Sequence, residues 1–128
     1  TTGSVKNNQV SAWRTGLFLN QQWTGLTPLG IEGNTFTAEN YTGATNWSGI
    51  VVSSVEGTAN TIIKDNEIVI PDTDTHSGYT AGYNVWNVTT TAPITIYGGS
   101  VSGGNYGVFV NNYEGYSENA IGTSITID

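Results

Sequence analysis

The chain has 128 residues, enough for one domain, with 37% apolar and only 10% charged residues, a balance that excludes a disordered chain. With 3 Lys plus Arg against 10 Asp plus Glu, the net charge is −7, which disfavours nucleic acid and anionic membrane surfaces as partners. There are no cysteines, hence no disulfide framework and no thiol chemistry.

From the amino terminus onward, one six-residue phrase recurs: Val5-Lys-Asn-Asn-Gln-Val10, Ile31-Glu-Gly-Asn-Thr-Phe36, Ile63-Lys-Asp-Asn-Glu-Ile68 and Ile96-Tyr-Gly-Gly-Ser-Val101. A fifth copy opens at Ile127. Each has a β-branched residue first, turn formers third and fourth, and an apolar residue sixth. A second element follows each phrase, a glycine opening a short apolar run: Gly16-Leu-Phe-Leu19, Gly49-Ile-Val-Val52, Gly82-Tyr-Asn-Val85 and Gly107-Val-Phe-Val110. The spacing between successive phrases is 26, 32, 33 and 31 residues, so two strand regions recur in fixed order while the connections absorb the differences. Helical repeats of this length keep a 3.6-residue apolar period, which no segment here does, and the runs are strand formers. A hairpin meander would place two-residue Asn-Gly or Asp-Gly loops between alternating runs, and none is present.

The phrase Ile-x-x-Asn-x-Ile, a variable loop and then Gly-Ile-x-Val resembles the repeats of right-handed parallel β-helices of the pectin-lyase-like class, over residues 3–128. The resemblance implies an all-β solenoid of about four coils with three short strands per coil, in one domain over residues 1–128. The glycine run is then the first strand, the start of the phrase ends the second, and its last residue lies in the third. Alternation sends Leu17/Leu19, Ile50/Val52, Tyr83/Val85 and Val108/Val110 inward. The second strands contribute Leu29/Ile31, Ile63, Ile94/Ile96 and Ile125/Ile127, and the third Val10, Phe36, Ile68/Ile70 and Val101. Asn8, Asn34 and Asn66, with Gly99 in the fourth coil, fall at the sharp bend, where left-handed backbone angles suit Asn and Gly. Asparagine amides stacked coil on coil can also bond one another as a ladder.

In enzymes of this class, the resemblance implies, catalysis sits on the outer face of the first sheet and needs carboxylates, a base and often calcium. The outward positions here are Phe18/Asn20, Val51/Ser53, Asn84/Trp86 and Phe109/Asn111, none ionisable, so no acid–base pair is expected. No Ser-His-Asp constellation is legible either. Aromatic residues of the loops, namely Trp13, Tyr41, Trp47, Tyr79 and Tyr106, with Trp86 on its strand, are candidates to stack on sugar rings. The plainer alternative is that they pack their own loops. Asp72 and Asp74, at alternate positions of Pro71-Asp-Thr-Asp-Thr-His76, are candidate calcium ligands, against the alternative of a solvated turn. His76 is the single histidine, so a multi-histidine metal site within the chain is excluded. Asn40-Tyr-Thr, Asn46-Trp-Ser and Asn87-Val-Thr match the N-glycosylation pattern, at a frequency chance explains in so Asn- and Thr-rich a chain.

The sequence opens without methionine, leader or membrane-spanning apolar run, which reads as a mature fragment or a piece of a longer solenoid. The expected role is a structural or adhesive segment, extracellular or at the cell surface, self-associating through open coil ends or continuing into adjoining solenoid. A carbohydrate-binding β-helix is the second expectation. A fragment of a polysaccharide lyase or hydrolase is the third.

Overall fold

A computed structural model describes residues 3–19, 22–25, 29–40, 45–53, 55–57, 59–86, 93–111 and 125–128. Within them the chain winds as a parallel β-helix of four coils, and every strand pairing is parallel. The first strands, β3 (Thr15–Leu19), β7 (Trp47–Val52), β11 (Thr80–Trp86) and β14 (Tyr106–Asn111), make one sheet. The second strands, β1 (Ser4–Lys6), β5 (Leu29–Glu32), β9 (Thr61–Lys64), β12 (Ile94–Tyr97) and β15 (Ile125–Ile127), make a five-stranded sheet. The third strands, β2 (Gln9–Ala12), β6 (Thr35–Ala38), β10 (Glu67–Val69) and β13 (Ser100–Ser102), close the triangle. A corner pair that the repeat did not announce, β4 (Gln22–Gly25) with β8 (Val55–Gly57), forms a small fourth sheet. No helix among the described residues is long and apolar enough to cross a membrane.

The six-residue phrase sets the register. Val5, Ile31, Ile63, Ile96 and Ile127 stand opposite one another in successive second strands. Val10, Phe36, Ile68 and Val101 do so in the third strands. In the first strands, Leu17, Ile50, Tyr83 and Val108 form one column, and Leu19, Val52, Val85 and Val110 another. A one-residue slip would turn every one of these side chains outward, so the apolar pattern holds the pairing in place. The columns meet in one core of which Ile31, Phe36, Ile50, Ile63, Ile68 and Ile94 are fully buried members.

The second repeated element owes its glycine to close packing. A Cβ on Gly49 would lie 2.7 Å from the Gly82 carbonyl oxygen and 2.8 Å from the Ile68 side chain. Gly16 would meet Phe36 at 2.5 Å, and Gly82 would meet Val101 at the same distance. First and third strands therefore approach so closely at this edge that only glycine fits in the first three coils.

At the bend, the left-handed angles fall one residue earlier than the sequence suggested. Asn7 (φ 55°), Gly33 (66°), Asp65 (53°) and Gly98 (63°) carry them, whereas Asn8, Asn34 and Asn66 do not. The third residue makes the turn so that the amide of the fourth can point into the stack. Asn34 and Asn66 are almost wholly buried. The Asn66 Oδ1 accepts from the Asn34 backbone N–H at 3.0 Å and from its Nδ2 at 2.9 Å, and Asn34 Oδ1 accepts the same two bonds from Asn8 at 3.0 Å each. Asn34 Nδ2 then donates to the Val5 carbonyl, and Asn66 Nδ2 to that of Ile31, each at 3.0 Å. Gly99 contributes no amide. It adopts a left-handed angle itself (74°), and the ladder stops at Asn66.

Candidate functional site

Among the described residues, the loop 71–79, between the third and first strands of the third coil, departs most from the repeat. It is long, polar and laid back across its predecessors. Asn40 Nδ2 donates to the Thr73 carbonyl at 2.7 Å, and its Oδ1 accepts the Thr75 N–H at 3.0 Å. Asn46 Oδ1 accepts the Tyr79 N–H at 3.1 Å, and Trp47 N–H donates to the Tyr79 carbonyl at 3.0 Å. Two of the glycosylation-like asparagines, Asn40 and Asn46, are thus braces between loops.

The loop extends as far as the first coil. His76 Nε2 lies 2.7 Å from the carbonyl oxygen of Trp13, and its Nδ1 bonds Asp74 Oδ1. Burial by itself would lower the imidazole pKa. The Asp74 hydrogen bond, the Trp13 carbonyl and the Asp74 charge together outweigh it and hold the pKa above its ordinary value. The fourth coil turns tightly through Gly103 and Gly104, both left-handed, where the third has its long loop. This mismatch leaves an open polar cleft of about 280 Å³ lined by Asp72, Asp74, His76, Thr80 and Asn105.

The candidate calcium ligands, Asp72 and Asp74, line this cleft, but Asp74 gives an oxygen to His76. Among the described residues no group of three His, Cys, Asp or Glu is placed to hold a metal ion.

The candidate aromatics separate into different environments. Trp47 is wholly buried and its indole N–H donates to the Ala12 carbonyl at 2.8 Å, so it cannot present a face to a sugar ring. The sequence signal misled here because Trp47 begins β7, a strand buried on both faces. Trp13 and Tyr106 are about half exposed, at 48% and 44%. Tyr79 is partly buried. Its hydroxyl is 2.9 Å from Asn84 Nδ2. Phe109 lies 5.2 Å from the Tyr79 ring and 4.8 Å from that of Tyr106, centroid to centroid. Trp86 ends β11, and Tyr41 lies outside the described residues.

On the outer face of the first sheet, Val51 and Asn84 are buried, while Phe18 at the edge is 50% exposed. The Asn84 Oδ1 is a buried acceptor without a hydrogen-bond partner among the described residues. The outer face of the second sheet carries charge instead. Glu32 sits 2.9 Å from Lys6 and 3.5 Å from Lys64, which hold its carboxyl below the usual range, Lys6 more strongly.

The chain matches no known family, no curated protein and no solved structure.

Proposed function

We propose that the chain is a structural or adhesive β-solenoid segment of an extracellular or cell-surface protein, pectin-lyase-like in its coil and mechanical in its role. The observation that supports this reading is the state of the last described coils. Val110 and Ile127 belong to inward columns, yet they are 49% and 55% exposed, against 1% for Val52 and Val85 in the same column as Val110. Unpaired edge strands with uncovered apolar side chains are templates for further pairing. Another coil, from adjoining solenoid or from a second copy, would bury these residues and pair the outer edges of β13 and β14, which have no further strand partner among the described residues.

The test is the assembly state, by electron microscopy with light scattering. End-to-end stacking predicts filaments with an axial repeat of roughly 20 Å, four coils at the spacing of stacked strands. A discrete monomer that persists at high concentration overturns the self-associating form of the proposal.

A second reading is carbohydrate binding, favoured by the Tyr79–Phe109–Tyr106 ring cluster beside the buried amide of Asn84. It predicts a polysaccharide-dependent change in tyrosine fluorescence that Tyr106→Ala abolishes. A panel of plant and microbial polysaccharides that leaves the emission unchanged removes this reading.

A further inference from the structure

His76 stands between two acceptors on different coils. Nδ1 faces the Asp74 carboxylate within its own loop, and Nε2 faces the Trp13 carbonyl, which belongs to the turn between β2 and β3. A neutral imidazole has one N–H and one lone pair, so it can donate to only one of these oxygens. The other contact then sets a lone pair against a lone pair. The imidazolium donates to both, and the bond to Asp74 becomes charge-assisted on both sides.

We propose that His76 is a proton-operated clip that fastens the 71–79 loop of the third coil to the first coil. The groups around the ring fit this role. On its own loop the charges are Asp74, in contact, and Asp72, which shares the cleft. The first coil offers the neutral Trp13 carbonyl, with Arg14 next along the chain. Among the described residues, the fourth coil brings Gly103, Gly104 and Asn105, none of them charged, to the same cleft. The carboxylates therefore dominate the charge around the ring and favour the imidazolium.

The folded chain holds the imidazole pKa above its usual 6.5. The clip is therefore fully fastened below that usual value and lets go as pH rises through the raised one. Once released, the loop keeps its braces at Asn40 and Asn46 but loses its tie to the first coil. Asp72, Asp74 and His76 all line the cleft, so the cleft opens with it.

The experiment is nuclear magnetic resonance on the full chain across neutral and alkaline pH, reading the His76 ring protons and backbone amide exchange together. The ring should titrate above the ordinary histidine value. Over the same interval, protection of the His76 backbone amide, which donates to the same Asp74 Oδ1 that holds the ring, corrected for hydroxide catalysis, should fall by about tenfold, the scale of one charge-assisted hydrogen bond. Core amides such as Ile63 should hold steady. In His76→Gln the loop should show no such transition, and in Asp74→Asn both the ring titration and the loop opening should move to lower pH. Ring titration at the ordinary value overturns the proposal. So does loop exchange that ignores the titration, or an unchanged pH response in His76→Gln.

Discussion

Asn66 shows what one side chain does in this fold. It accepts two hydrogen bonds from Asn34 and donates one to the Ile31 carbonyl, all in the interior. Asn66→Val keeps the volume roughly but strands those partners without water. Each unsatisfied buried group costs about 1–3 kcal/mol, so the substitution should destabilise by on the order of 3 kcal/mol or more. Asn8→Ala removes the exposed end of the same ladder, where water replaces the lost bonds, and should cost under about 1 kcal/mol. Urea unfolding of the two variants checks the contrast; similar losses would mean that the ladder adds nothing beyond local turn propensity. The charged column invites a similar claim and supports less. Lys6, Glu32 and Lys64 are all substantially exposed, and such pairs contribute little. The ladder was legible because asparagine recurs at the fourth place of the phrase. The left-handed residue was not, since the third and fourth places both hold turn formers, and composition cannot say which one turns.

At the scale of strands and loops, the glycine opening each first strand is the sharper constraint. Gly49→Ala would push a methyl against a backbone carbonyl and against Ile68, neither of which can yield without moving a strand. Overpacking of this kind costs about 1–3 kcal/mol, and a rigid carbonyl puts it at the upper end. Gly107 holds the equivalent place in the fourth coil, yet a Cβ there meets nothing within 4 Å. Gly107→Ala should be neutral, or stabilising by a few tenths of a kcal/mol through the unfolded chain. Thermal unfolding distinguishes the pair, and a tolerated Gly49→Ala would show that the edge can open. The sequence made these glycines visible as a repeat but gave no reason for them, because the contact is between coils and not along the chain. The same limit hid the 71–79 loop. Its length and its lone histidine were legible, but its tie to Trp13 spans 63 residues and leaves no local pattern.

For the whole molecule, a stack of coils in which each touches mainly its neighbours behaves as a one-dimensional chain, with stability highest where both neighbours are present. The burial pattern follows this rule. Ile31, Ile50, Ile63 and Ile68 in the second and third coils are sealed, whereas Val5, Val10 and Leu17 in the first, and Val101 and Val108 in the fourth, are only partly buried. Native-state hydrogen exchange should therefore fall off from the middle outward, with amides of β7 and β9 the slowest and those of β2 and β13 exchanging faster by an order of magnitude or more. Uniform protection at low concentration would contradict the one-dimensional picture. The same measurement bears on assembly. If copies stack end to end, raising the concentration must slow exchange selectively at the exposed edges, β13 and β14 at one end and β1, β2 and β3 at the other, and leave β7 and β9 unchanged. Slowing spread evenly over all strands would point to non-specific aggregation. Slowing confined to β14 and the loop before β11 would point instead to an interaction through the aromatic cluster on the outer face.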